Sequence, residues 1–115
     1  MFETALKRDE LVKGVDFMIP ETSSYVKIPN PASRYAIIGV FVAKHKKNVN
    51  VAVTGAKPCV YIDKDLSKKL SSSFSASAIE GMNIKSSGMN SDMHASAEYR
   101  ANLVSLYAKK AVEAC

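Results

Sequence analysis

Tryptophan is absent from this 115-residue chain, and cysteine, proline and glycine are scarce, at two, four and five copies. The two cysteines, Cys59 and Cys115, form neither a C-x-x-C pair nor any Cys/His spacing that would hold a metal. No disulfide framework or zinc-type centre is therefore expected, and the thiols read as reduced, in a cytoplasmic protein. Cys115, as the last residue, is expected at the surface. The glycines (Gly14, Gly39, Gly55, Gly81, Gly88) never fall into a G-x-G-x-x-G or P-loop pattern, and no nucleophile elbow occurs. No apolar run approaches the ~18 residues of a membrane span. Asp9 and Glu10 interrupt the start before a signal-peptide core can form. Charge of one sign is modest: sixteen Lys and Arg against eleven Asp and Glu give +5, enough for solubility and little more. The densest basic cluster, Lys44 to Lys47 with His45 inside it, lacks the wide face and interleaved aromatics of a nucleic-acid surface. Neither a nucleic-acid partner nor a membrane span is expected.

With 47% hydrophobic and 23% charged residues, the chain is an ordinary globular one. Its length suits a single domain over 1–115, burying roughly two thirds of its unfolded surface. Val15, Phe17 and Ile19 alternate with Asp16 and Met18, which predicts a strand stopped by Pro20. Residues 25–28 are a short β-prone piece closed by Pro29. Residues 30–34 form a loop between prolines and arginine. The most apolar stretch, 35–43, is short and β-branched, so it predicts a buried strand, with Gly39 marking a bulge or a close backbone approach. Residues 44–48 are polar. After them Val49, Val51 and Val53 alternate with polar neighbours, so the two arms predict an antiparallel hairpin. Residues 59–62 are apolar and left without a state.

Asp63 or Asp65 can cap the helix that follows, whose Leu66, Leu70 and Phe74 recur at helical spacing, with the serines at 71–73 expected to fray it. Residues 77–79 add a short turn, and 80–92 form a loop. From about His94 to Ala114 no glycine or proline occurs, and Tyr99, Leu103, Leu106, Tyr107 and Val112 predict the buried stripe of a long C-terminal helix. Asp92 suits its start, and Lys109 and Lys110 its end. Strands followed by helices predict an α+β fold: a small, about three-stranded antiparallel sheet (about 9–62) against a helical bundle (about 63–115).

Little in the chain points to catalysis, and no catalytic residue is identified. His94 and Glu98 stand four apart on the expected helix, one ligand short of any metal site. His45 reads as a solvated loop residue. Asp63 and Asp65 are better explained by capping than as an acid pair. The segment that does suggest a site is Tyr25 and Lys27, two residues apart on extended chain and so on one face, followed by the stiff loop Asn30, Pro31, Ala32, Ser33, Arg34, Tyr35. A phenol and an ammonium so placed can meet a flat, electron-rich ring by stacking and a charge-assisted hydrogen bond. A surface Tyr-Lys pair on an edge strand is the plainer alternative.

Several ordered segments add to this. They are Phe2 to Leu6 leading to Asp9 to Val12; Tyr25, Val26, Lys27; Asn30 to Val40; Val51 to Ala56; and Ser91, Asp92, Met93, His94, Ala95, Ser96, Ala97, Glu98, Tyr99, Arg100. In order and spacing the chain resembles, over nearly its whole length, the C-terminal domain of the flavoprotein (medium) subunit of molybdenum hydroxylases, the carbon monoxide dehydrogenase and xanthine dehydrogenase relatives. The resemblance implies a three-stranded antiparallel sheet with a helical bundle. It implies a domain that closes over FAD and helps dock the iron–sulfur subunit, between a molybdenum subunit that oxidises the substrate and an external electron acceptor. Tyr25 and Lys27 would lie near the isoalloxazine. Arg34 would stand in the loop where relatives carry an Arg-x-x-x-Asp-type pattern that is replaced here by Asn30 and Arg34, so it has no assigned partner. Tyr99 and Arg100 would be structural, the first in the core and the second fixing a loop carbonyl or a carboxylate. The glycine-rich flavin-binding portion lies N-terminal to this domain in such proteins and has no counterpart in this chain, so FAD is not expected to be bound by these residues alone. The rival expectation is a stand-alone, non-enzymatic interaction domain.

Overall fold

The structure is a computed structural model and describes residues 4–115; the Phe2 and Glu3 positions of the first matched segment lie outside the described residues. The architecture is α+β. Four antiparallel strands, β1 (Thr22–Pro29), β2 (Ala36–His45), β3 (Asn48–Thr54) and β4 (Tyr61–Ile62), lie in the sheet in chain order. Helices α1 (Lys64–Ser72) and α2 (Ala97–Glu113), with a 3₁₀ turn at Ala76–Ile79, cover one face. The sheet thus has four strands rather than about three: the apolar piece at 59–62 supplies a two-residue fourth strand, Ala52 facing Ile62 and Val53 facing Tyr61.

The core follows from strand period. Ile38, Val40 and Val42 of β2 and Val49, Val51 and Val53 of β3 all point to the helical side and are essentially fully buried. Leu66 and Leu70 of α1 close over β3, while Leu103, Val104, Ala108, Ala111 and Val112 of α2 close over β2 and β1. The β2–β3 hairpin turns at Lys46 and Lys47, with Lys46 at φ 52, the positive φ that two-residue hairpins demand. Asp63 is the N-cap of α1, its carboxylate accepting from Leu66 N at 3.0 Å. The serines of α1 do more than weaken it. Ser67 Oγ accepts from Val51 N (3.0 Å) and Ser71 Oγ from Val49 N (2.8 Å), so the helix satisfies the outer main-chain donors of β3 beyond the reach of β4.

Three expectations are corrected. Residues 15–19 form no strand, and the sheet begins at Thr22 rather than near residue 9. No backbone ladder reaches these residues, and their apolar side chains face solvent. The C-terminal helix starts at Ala97, capped by Ser96, whose Oγ accepts from Tyr99 N. His94 therefore precedes the helix, and the His94–Glu98 pairing on one helical face does not form. Third, the buried stripe of α2 is Arg100, Ala101, Leu103, Val104, Ala108, Ala111 and Val112, while Tyr99 and Leu106 are each about half exposed, at 48% and 47%. Small alanines let α2 lie close to the sheet, and close approach shifts the contact line away from the bulkier residues.

Candidate functional site

Alternation along β1 sends Val26 and Ile28 to the core and Ser23, Tyr25 and Lys27 to the opposite, helix-free face. The register sets Tyr25 opposite Phe41 and Lys27 opposite Gly39. Gly39 is what lets Tyr25 lie down: a Cβ at that position would overlap the phenol ring and its hydroxyl. Gly39 therefore marks a close approach, not a bulge; the one irregularity of this ladder lies between Ile28 and Pro29. Tyr25 remains 49% exposed, and Phe41 and Ile62 continue the apolar surface across the sheet, both more than a third exposed. Phe41 and Ile62, with Ala43, Ala52, Phe17 and Met18, line a shallow groove of about 580 Å³; Tyr25 is not among its lining residues.

Lys27 is held by its neighbour loop. Its Nζ donates to the carbonyl of Arg34 at 3.1 Å. That carbonyl is placed by a tight Asx-type turn. Asn30, almost wholly buried, accepts through Oδ1 from Ala32 N (3.0 Å) and Ser33 N (3.3 Å). Its backbone N–H donates to Tyr35 O (2.7 Å), and its carbonyl accepts from Arg34 N (2.9 Å). Arg34 completes the turn in the left-handed region, at φ 62. The structure thus brings Lys27 and Arg34 together, through the main chain of Arg34 rather than its guanidinium. Among the described residues no carboxylate lies within ion-pair distance of either side chain. One end of the open face is consequently cationic and the middle is aromatic. Such a surface can receive a flat ring and hold negative charge at its edge. Asn30, expected in the loop of the site, fixes that loop through its hydrogen bonds; Gly39 and Phe41 are not legible as site residues in the sequence, and only the β1–β2 register reveals that they form the floor beside Tyr25.

Arg100, expected to be structural, is the most heavily used buried polar group. It is 4% exposed, and its guanidinium donates to Ile37 O (2.8 Å), Gly55 O (3.0 Å) and Asp92 Oδ2 (2.7 Å). Asn90 Nδ2 donates to the same Gly55 carbonyl at 3.2 Å. Gly55 itself sits at φ +82, where a side chain would strike Ile37 O. The Asp92 carboxyl is held below the usual carboxylate range, first by the His94 N–H and then by the Ala95 N–H and the nearby Arg100 charge. Arg100 thereby joins the long loop to the ends of β2 and β3.

The remaining candidates come apart. Lys44 of the basic cluster pairs with Glu21 at 4.0 Å and lies 5.2 Å from the centre of the Phe74 ring, so the cluster does not present one continuous charged face. No group of three metal-binding side chains occurs among the described residues. Both cysteines are exposed and unpaired. Tyr61 is half-buried beside a second concavity with Lys57, Asp63 and Lys85; burial, then the Asp63 charge, push its phenol up to about 12. No helix of the described chain is long and apolar enough to cross a membrane. Comparison with known protein families, with curated proteins and with solved structures finds no match to this chain.

Proposed function

We propose that this chain is the FAD-covering, C-terminal domain of the medium subunit of a molybdenum hydroxylase, working beside a flavin-binding portion, an iron–sulfur subunit and a molybdenum subunit. The observation that carries the reading is the pairing of Tyr25 and Lys27 on an uncovered sheet face, with no carboxylate partner for Lys27 or Arg34 among the described residues. These residues suit a flavin: an aromatic and apolar floor for one ring face and fixed positive charge at one end. FAD, when bound by the neighbouring portion, would carry electrons from iron–sulfur clusters to an external acceptor. This chain's part is to exclude water with Tyr25 and to hold the Lys27 ammonium where negative charge develops on reduction. The Asn30 turn keeps Lys27 in place, since its acceptor is a main-chain carbonyl. The role is one of binding and electrostatics, with no catalytic residue in this chain.

The test is reconstitution. The chain is mixed with the flavin-binding portion of a carbon monoxide dehydrogenase medium subunit, and FAD retention and flavin potential are followed. Retention should rise with the wild-type chain. Lys27→Ala should lower the flavin potential while leaving the fold intact. No association with the flavin-binding portion would refute the reading. It would then favour a stand-alone interaction domain, for which the exposed Phe41 and Ile62 are the supporting feature.

A further inference from the structure

Residues 11–19 are an arm with the sequence habits of a strand and none of its bonds. Leu11, Val12, Val15, Phe17, Met18 and Ile19 are between 64% and 87% exposed. Among the described residues no hydrogen bond is made by residues 11–20, whereas Glu21 N already donates to Lys44 O at the head of the sheet. Six large apolar side chains in nine residues, left in water, are a costly arrangement at about 25 cal/mol per Å² of apolar surface. The unpaired main chain of a strand-like segment is moreover a template for pairing.

The same molecule holds the matching vacancy in its hydrogen bonding. The sheet has two edges. At the β4 end, Ser67 and Ser71 occupy the donors of β3. At the other end β1 pairs only with β2, and no backbone hydrogen bond reaches it from its outer side among the described residues. The arm cannot fold back onto its own β1 as a tight hairpin. The connecting residues are Pro20 and Glu21, and both favoured two-residue turns need φ > 0 at the first position, which proline's ring forbids. The lengths agree, nine residues of arm against the eight of β1. Charge also agrees. Lys13 balances Asp16 in the arm, while from Pro20 onward thirteen basic residues stand against seven acidic ones. A neutral strand therefore adds to the basic body without new repulsion.

We infer that the arm of one copy pairs with the β1 edge of a second copy, and that the exchange is reciprocal, giving a two-fold dimer. This goes beyond the flavin reading and does not depend on it. The open face carrying Tyr25 and Lys27 lies at right angles to the edge used.

The test is the mass of the whole chain under a thiol reductant, which removes any dimer made through Cys59 or Cys115. Light scattering at about 200 µM, high enough by mass action to populate a weak dimer, should give twice 12.5 kDa. Amide exchange at residues 11–19 should be slowed at least about tenfold relative to dilute protein. Phe17→Asp with Ile19→Asp should abolish the dimer and the protection. Because both side chains are solvent-exposed, the unfolding midpoint of this variant's monomer should be unchanged, which separates loss of pairing from loss of fold. A monomer at this concentration overturns the inference, including the case in which the arm is taken up by a different protein. A dimer whose arm amides exchange freely overturns it as well.

Discussion

Replacing Arg100 by Met should be among the most damaging single changes outside the aliphatic core. Methionine keeps much of the side-chain volume, so the change removes the guanidinium and little packing. Three hydrogen bonds go with it: two to the carbonyls of Ile37 and Gly55 and one to Asp92. Breaking a buried charged network costs about 3–5 kcal/mol. Asp92 is 47% exposed at its side chain and can be rehydrated, and Gly55 O keeps Asn90 as a donor. The lower end, about 3 kcal/mol, is therefore expected. Against a total stability of about 5–15 kcal/mol this is a large fraction. At roughly 4 °C per kcal/mol for a domain of this size, the melting temperature should fall by about 12 °C. Urea unfolding followed by circular dichroism at neutral pH measures it. Asp92→Asn alone should cost much less than Arg100→Met, because an exposed partner contributes little while the two carbonyls still hold Arg100. A loss below about 1 kcal/mol for Arg100→Met, outside the range for a buried network, refutes the reasoning. So does an Asp92→Asn cost as large as that of Arg100→Met, since the ion pair and not the carbonyl contacts would then dominate.

Leu103→Ala should cost about 2–5 kcal/mol as a buried truncation, while Leu106→Ala, half exposed on the same helix, should stay within about 1 kcal/mol; equal losses would mean the helix face is assigned wrongly. Gly39→Ala should destabilise by about 1–3 kcal/mol through its clash with the Tyr25 ring, and adding Tyr25→Ser should remove most of that cost; additive losses would place the conflict elsewhere. Because the folded-state pKa of Asp92 lies below its ordinary 3.8, its contribution is fully present above that value and is lost as pH falls through the folded-state value; an acid titration of stability should be flatter for Asp92→Asn, and an identical slope would contradict the assignment. Tyr61 works at the other extreme. Its phenol is held neutral up to about 12 when folded against 10.0 in the unfolded chain, so stability should decline as pH rises from 10 toward 12. Tyr61→Phe should remove the decline, and a persisting decline would point to another group.

Much of the sheet was legible because its signals are local. Val49, Val51 and Val53 alternate without interruption, the 35–43 stretch is short and β-branched, and the polar 44–48 stretch between them leaves a hairpin as the simple solution. The arm at 15–19 misled for an instructive reason: alternation describes what a segment would do beside a partner, and no partner strand lies beside it in this chain. Of the stripe expected on helix α2, Leu103, Tyr107 and Val112 do meet the core, and Tyr99 and Leu106 do not. Tyr99 and Leu106 carry more hydrophobicity than Ala101 or Ala108, yet a tightly packed interface selects small residues. On the open face, Tyr25 and Lys27 share a side by strand geometry alone. The floor beneath Tyr25 is a property of register, which no spacing within β1 reveals. Arg34 was noted for its side chain and contributes its carbonyl, because a left-handed residue at the end of an Asx turn presents main chain inward. Arg100 was read as a fixer of a carbonyl or a carboxylate, and it holds both.

The two serines of α1 have a consequence for assembly. By occupying the outer donors of β3 they shorten the bare backbone on that side of the sheet to the two residues of β4. On the opposite side all eight residues of β1 stand at the edge. The two sides therefore offer an added strand very unequal lengths of ladder, and growth is directed to one of them. Loss of both hydroxyls, as in Ser67→Ala with Ser71→Ala, would lengthen the second template and favour open-ended association, visible as scattering that rises with time.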